Sequence, residues 1–133
     1  MVIGEGRNFT LEMANNAVDM VLGGAKLIAT NLDPSPMKKG WANLGIKAIV
    51  KMVEEATVKK AFSVGKPSPV MMRAARKKLG LMTDQTIVIG DTMDTDILGG
   101  IQMGYKTILT LSGVSKKENL IDYAYGPDMI IDS

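Results

Sequence analysis

At 133 residues, 46% hydrophobic and 23% charged, the chain is about one domain long and has enough apolar side chain for a packed core, which excludes a disordered or low-complexity protein. Sixteen basic against fourteen acidic residues leave a net charge of +2, scattered apart from pairs such as Lys38-Lys39, Lys59-Lys60 and Lys116-Lys117, too weak a pattern for nucleic-acid binding. With neither cysteine nor histidine, disulfides, thiolate zinc sites and imidazole catalysis are impossible, so any chemistry falls to carboxylates, hydroxyls, lysines or a hard metal ion.

In chain order, "MVIG" reads as a strand and "LEMANNAVDMVLGG" as a helix, with Leu11, Ala14, Val18, Val21 and Leu22 on one face and Gly23-Gly24 as the stop. Glu5 and Arg7 interrupt the first apolar run before it reaches signal-peptide length, and no stretch approaches the ~20 apolar residues of a spanning helix. A cytoplasmic protein with no membrane partner is the default expectation. "KLIATN" is the next strand, and after the polar "DPSPMKKG" a helix is predicted from Trp41 to Ala56, turning Leu44, Ala48, Ile49, Met52 and Val53 inward. "AFSVG" follows as a short strand.

"KPSPVMMRAARKKLG" has a clear helix start, Ser68 as N-cap and Pro69 at the first helical position; Met71, Ala75 and Leu79 are expected to face the core, and Arg73, Arg76 and Lys77 to face water. "TIVIG" (86–90) is a short β-branched run, typical of a central parallel strand covered on both faces. A helix from near Thr95 to Gly104 comes next, then the strands "KTILTLSG" and "DMIID". Strands alternating with helices give an α/β class with right-handed crossovers and a largely parallel sheet, divided near Gly65. Met13, Met20, Met52 and Met71, among eleven methionines, stand at helical spacings that suit gap-filling in the core. Trp41, Tyr105, Tyr123 and Tyr125 are too scattered for a nucleic-acid stacking platform.

The chemistry concentrates in "TIVIGDTMDTDILGG". In open α/β sheets ligands bind beyond the carboxyl ends of the strands, and Asp91 stands at such an end. Asp91, Asp94 and Asp96 repel one another unless something cationic neutralises them, and Mg²⁺ is the hard cation that carboxylates and water hold. The same residues also suit a plain structural role, with Asp94 or Thr95 capping the next helix and Asp91 shaping the turn. Lys66, in "VGKPSP", lies between a strand and a helix N-terminus, where a phosphate could meet both ammonium and backbone N–H groups; taken alone it reads first as a solvated loop lysine, and its pairing with the acid cluster is what raises the phosphate reading.

"GKPSP", then "GDTMDTDI" about two dozen residues on, then "TILTLSGVS", resemble the C-terminal part of the haloacid-dehalogenase (HAD) superfamily, in its nitrophenylphosphatase-like (NagD-type) branch. "VIGEGRNFTLEMANNAVDMVLGGAKLIATNLD" resembles the second half of that branch's α/β cap, so the resemblance covers nearly the whole chain. It implies residues 1–64 as the C-terminal half of the cap and 65–133 as the C-terminal half of a Rossmann-like hydrolase core with helices on both faces. It also implies Mg²⁺-dependent hydrolysis of small phosphate monoesters through an aspartyl-phosphate. In that scheme Lys66 steadies the nucleophile and the phosphoryl charge and contacts substrate, Asp91 ligates the metal, and Asp96 holds metal-bound water or the lysine; Asp94 and Thr95 only support.

The family's reaction starts at a strand followed by Asp-x-Asp-Gly, and none of these 133 residues form that motif. "MVIGEG" has Glu5 in its place. The expectation is therefore a phosphatase fragment inactive by itself, from truncation, a split gene or an incomplete gene model, that takes a phosphorylated metabolite once complete. The resemblance makes the missing nucleophile strand the neighbour of the 86–90 strand, so three outcomes are expected: an N-terminal fragment pairs with that open edge, a second copy does, or the chain is marginally stable. The alternative is a non-catalytic module that binds a phosphorylated ligand or dimerises. A phospho-receiver fits less well, because its lysine follows the acids and Lys66 precedes them. The loop after "ATN-x-D" is short for this branch, which leaves the substrate open.

Overall fold

The computed structural model describes residues 1–6, 8–32 and 45–133, which form two compact units, Met1–Gly65 and Lys66–Ser133. Residues 33–44, which hold most of the loop expected after "ATN-x-D" with Lys38-Lys39, Trp41 and Leu44, lie outside the described residues, as does Arg7.

In the first unit β1 (Val2–Ile3), β2 (Ile28–Ala29) and β3 (Phe62–Ser63) pair in parallel in that order, connected through α1 (Leu11–Leu22) and α2 (Ile46–Thr57). Thr10 caps α1 by accepting the Met13 N–H at 3.2 Å, and the Gly23 N–H closes its end on the Asp19 carbonyl at 2.8 Å. The core gathers Ile3, Ala17, Val21, Leu27 and Ala29 with Ile46, Ile49, Val50 and Val53 of α2. The inward line of α1 is thus Ala14, Ala17 and Val21, whereas Leu11 and Leu22 are 72% and 61% exposed. Small side chains let α1 approach its neighbours closely, and its terminal leucines lie past the end of the contact. On α2, Ile49 and Val53 are buried as expected, but Ala48 and Met52 are exposed and Ile46 and Val50 take the inner positions. Buried Glu54 ties α2 to the approach of β3, accepting from Lys51 Nζ at 2.5 Å and the Ala61 N–H at 2.7 Å. The lysine hydrogen bond, then the Ala61 N–H, hold its carboxyl below the usual range.

In the second unit β4 (Ile87–Gly90), β5 (Lys106–Thr110) and β6 (Met129–Ile131) form a parallel sheet in the order β4-β5-β6, with β4 at one edge. Ser68 caps α3 (Pro69–Leu79) by accepting the Val70 N–H at 3.3 Å, and Pro69 opens it, as the sequence predicts. Its buried side is displaced from the expected one. Met72 is buried and Arg76 is half-buried, donating to the Leu81 carbonyl at 2.7 Å, while Met71, Ala75 and Leu79 are exposed. Met72 is drawn inward by the next helix and by Tyr105, whose hydroxyl donates to the Met72 carbonyl. The four methionines expected to fill the core, Met13, Met20, Met52 and Met71, are all exposed.

The pairing register puts Val88, Gly90, Thr107 and Leu109 on one face of this sheet, where Leu109 packs with Met93 and Ile97. The other face leaves Ile87 57% and Ile89 62% exposed. Strand 86–90 is therefore not covered on both faces: it ends the sheet, and its Ile87 and Ile89 side is exposed. Among the described residues no helix is long and apolar enough to cross a membrane.

Asp128 anchors β6 to β5: its carboxylate accepts from the Thr107 N–H at 2.9 Å, the Thr107 hydroxyl at 3.0 Å and Lys106 Nζ at 2.8 Å. The Lys106 hydrogen bond, followed by those from Thr107, lowers the Asp128 pKa from 3.8 to about 2. A carboxyl whose pKa is depressed by folding stabilises the fold above its unfolded pKa, and that contribution fades as pH falls through the folded one. Between about pH 4 and pH 2 the urea midpoint is expected to drop more steeply for the parent chain than for Asp128→Asn. Parallel pH profiles for the two would refute the anchor.

Candidate functional site

The acid-bearing segment leaves β4 at Gly90 and enters a widened turn, Met93–Ile97, in which the Ile97 N–H reaches back to the Thr92 carbonyl at 3.3 Å, before α4 (Leu98–Gln102) begins. Such five-residue turns recur at functional sites because they re-aim side chains within a helix. Neither Asp94 nor Thr95 caps the helix. Thr92, which precedes the turn, makes no side-chain cap bond; instead Asp96 Oδ2 accepts the Thr92 N–H at 3.2 Å, and the Ser115 hydroxyl accepts the Met93 N–H at 3.0 Å.

The three aspartates do not face a shared centre. Asp96, 6% exposed, accepts from Lys66 Nζ at 2.8 Å, so the cation that neutralises it is a lysine 30 residues earlier. Asp94 accepts from the Tyr123 hydroxyl at 2.9 Å. Asp91 accepts from the Thr92 hydroxyl at 3.2 Å on Oδ1 and from the Val114 N–H at 2.9 Å on Oδ2. Among the described residues no three acidic side chains gather as a metal-binding group. Crowding in sequence is thus relieved by separate partners, with Asp96 on the lysine and only Asp91 left as a candidate metal ligand.

Lys66 and Asp96 meet at the carboxyl end of β4, beside Asp91. A glycine makes room for each acid: a Cβ on Gly90 would land on the Asp96 carboxylate, and one on Gly113 on the Asp91 carboxylate. The Ser115 N–H also donates to the Asp91 carbonyl at 2.9 Å, so the loop 113–115 grips Asp91 at both side chain and backbone. Nothing local in "LSGVS" assigns this loop a role beyond the family resemblance. The usable signal was the ending of two strands, "IGD" and "LSG", which adjacent parallel strands bring to the same side of the sheet.

Tyr123 and Tyr125 close the far side of the turn, with ring centroids 5.3 Å apart at 65°, and Tyr125 donates to the Met93 carbonyl at 3.3 Å. The Asp94 hydrogen bond raises the Tyr123 pKa; burial, then the charge of Asp94, raises that of Tyr125.

As a metal ligand Asp91 offers a hard oxygen, Oδ1, which carries a long contact from the Thr92 hydroxyl, while Oδ2 is tied to the loop. That donor set fits Mg²⁺, which keeps several waters and often takes just one or two carboxylates plus substrate phosphate oxygens. Chemically, the site joins an ammonium held by a buried carboxylate to one presented acid, a pairing suited to a phosphoryl group.

The HAD-hydrolase-like family matches residues 63–133. Dihydroxyacetone phosphatase of Corynebacterium glutamicum is 34% identical over 133 residues, all of this chain and 48% of the relative. Ribonucleotide monophosphatase NagD of Escherichia coli K12 is 37% identical over 133 residues, again the whole chain and 52% of the relative. The chain spans about half the length of these curated relatives. Among solved structures, a double mutant of the thermostable NPPase from Geobacillus stearothermophilus superposes with a TM-score of 0.90 at 37% identity, over 98% of this chain and 51% of that one. NagD from the E. coli K-12 strain gives 0.88 at 37%, over 99% and 52%.

Proposed function

The chain belongs to the HAD-hydrolase-like family, in its NagD-type branch, and from that premise we propose that it is the C-terminal part of a Mg²⁺-dependent phosphatase of small phosphate monoesters. Residues 1–64 would be the second half of its cap and 65–133 the second half of its core. The observation that most supports this reading is the 2.8 Å Lys66–Asp96 ion pair beside Asp91 at a strand's carboxyl end.

In this reading Asp91 Oδ1 holds the metal, which when bound supplies Lewis-acid stabilisation of phosphoryl charge. Asp96 keeps Lys66 charged and aimed, and Lys66 Nζ binds the phosphoryl oxygens. The nucleophile comes from an Asp-x-Asp-Gly segment encoded elsewhere, whose strand would pair with the open edge of β4.

The test begins with the encoding DNA immediately upstream, where an apolar strand followed by Asp-x-Asp-Gly is expected. Expressed together with that segment, the protein is expected to hydrolyse p-nitrophenyl phosphate. Asp91→Asn and Lys66→Ala should each lower kcat by roughly 10²- to 10³-fold, the range seen when one transition-state-stabilising group is removed. Unchanged turnover in both variants would sink the assignment. An upstream sequence without the motif would favour a non-catalytic phosphate-binding or dimerisation module instead.

A further inference from the structure

We propose that the loop Gly113–Ser115 is a positioning element for Asp91, and that it selects Oδ1 as the oxygen Asp91 offers to a divalent cation. The inference rests on the reading of Asp91 as a metal ligand and adds residues to which that reading gives no part.

A carboxylate at the end of a strand is free to turn about two side-chain torsions, and a metal ion gains from whatever fixes it beforehand. Here three contacts act on Asp91 from one short loop. The Val114 N–H donates to Oδ2 at 2.9 Å, and the Ser115 N–H donates to the backbone carbonyl at 2.9 Å. Gly113 leaves open the space that the carboxylate fills, so any side chain there would push Asp91 out. Ser115 acts a second time through its hydroxyl, which receives the Met93 N–H at 3.0 Å and joins the loop to the turn that follows Asp91. Met93 is fully buried, so that N–H would have no solvent to replace the serine. With Oδ2 committed to a backbone donor, Oδ1 is the oxygen left to a cation, alongside its long contact from the Thr92 hydroxyl at 3.2 Å.

Groups that hold a ligating side chain by hydrogen bonds typically account for about 10- to 100-fold in metal affinity. The test uses the 133-residue chain, ¹⁵N-labelled, with Mn²⁺ alone as a paramagnetic stand-in for Mg²⁺, and follows broadening of the Thr92 and Val114 amide signals. In the parent chain these signals are expected to broaden first, and Asp91→Asn is expected to abolish the effect. Ser115→Ala should weaken the apparent Mn²⁺ affinity by about tenfold. Ser115→Thr, which keeps the hydroxyl acceptor, should restore it, a rescue that general loosening of the fold would not give. Gly113→Ala is expected to weaken it at least as much; should that variant not fold, the Ser115 pair decides. Broadening lost in Asp91→Asn yet unchanged in Ser115→Ala would overturn the inference and leave Asp91 as a ligand. A parent chain with no broadening that depends on Asp91 would overturn both.

Discussion

Gly90→Ala is expected to cost the chain about 3 kcal/mol of stability, the upper part of the range for forcing extra volume into a packed site. The added Cβ would fall on the Asp96 carboxylate, whose two oxygens are held by Lys66 Nζ at 2.8 Å and by the Thr92 N–H at 3.2 Å. Asp96 is 6% exposed, so it has no solvent to swing into. Either the turn 92–97 lifts from β4 or the carboxylate leaves its lysine, and a buried charge that loses its partner is among the more expensive defects a fold can carry. Urea unfolding should report a midpoint lower by roughly 1 to 2 M with an unchanged slope. The double variant Gly90→Ala/Asp96→Ala removes the clash together with the carboxylate, so its loss should fall short of the sum of the single losses by about 1 kcal/mol or more. Additive losses, or a single variant within about 0.5 kcal/mol of the parent, would show that Gly90 is not there to admit Asp96.

That glycine illustrates what could and could not be read from the chain. The six strands were legible because short β-branched runs recur between helix-length segments, and local pattern alone marks them. The Ser68-Pro69 helix start was legible for the same reason, since a cap and its first turn are sequence neighbours. Helix faces were less so. Of the face Leu11, Ala14, Val18, Val21 and Leu22 expected on α1, Ala14 and Val21 are buried, but Leu11 and Leu22 are exposed and Ala17, not expected there, completes the packed line; the value of the alanines lies in how closely they let a neighbour approach. The methionines misled in a similar way, because helical spacing fits an exposed stripe as well as a buried one.

At the site, Asp91, Asp96 and Lys66 could be picked out from where they stand at strand ends, while their partners could not. Asp96 pairs across 30 residues, Asp94 finds Tyr123 across 29, and Asp91 meets the Val114 N–H across 23. Only a folded sheet brings such groups together. The repulsion expected among three acids so close in sequence is relieved by these distant partners, and the widened turn from Met93 to Ile97 carries Asp94 and Asp96.

The 133-residue chain by itself is expected to leave p-nitrophenyl phosphate at its uncatalysed rate, with or without Mg²⁺. Loss of a covalent nucleophile costs a hydrolase on the order of 10⁶ in kcat, since one hard displacement is no longer split into two easier steps. No acid in the described site stands ready to substitute. The only Asp-x-Asp in the sequence is Asp94-Thr95-Asp96, which lies within the widened turn. Asp96 is spent on Lys66 and Asp94 on the Tyr123 hydroxyl, so freeing either for attack would break a contact that holds the turn in place. Asp91 keeps Oδ1 to offer, but in this reading that oxygen holds the metal. Lys66 and a metal-bearing Asp91 could still gather a phosphate weakly, but binding that serves ground state and transition state alike does not raise kcat. Measured turnover by the purified chain that rises with Mg²⁺ and disappears in Asp91→Asn would mean that the attacking group lies within these 133 residues after all, and the fragment reading would have to be given up.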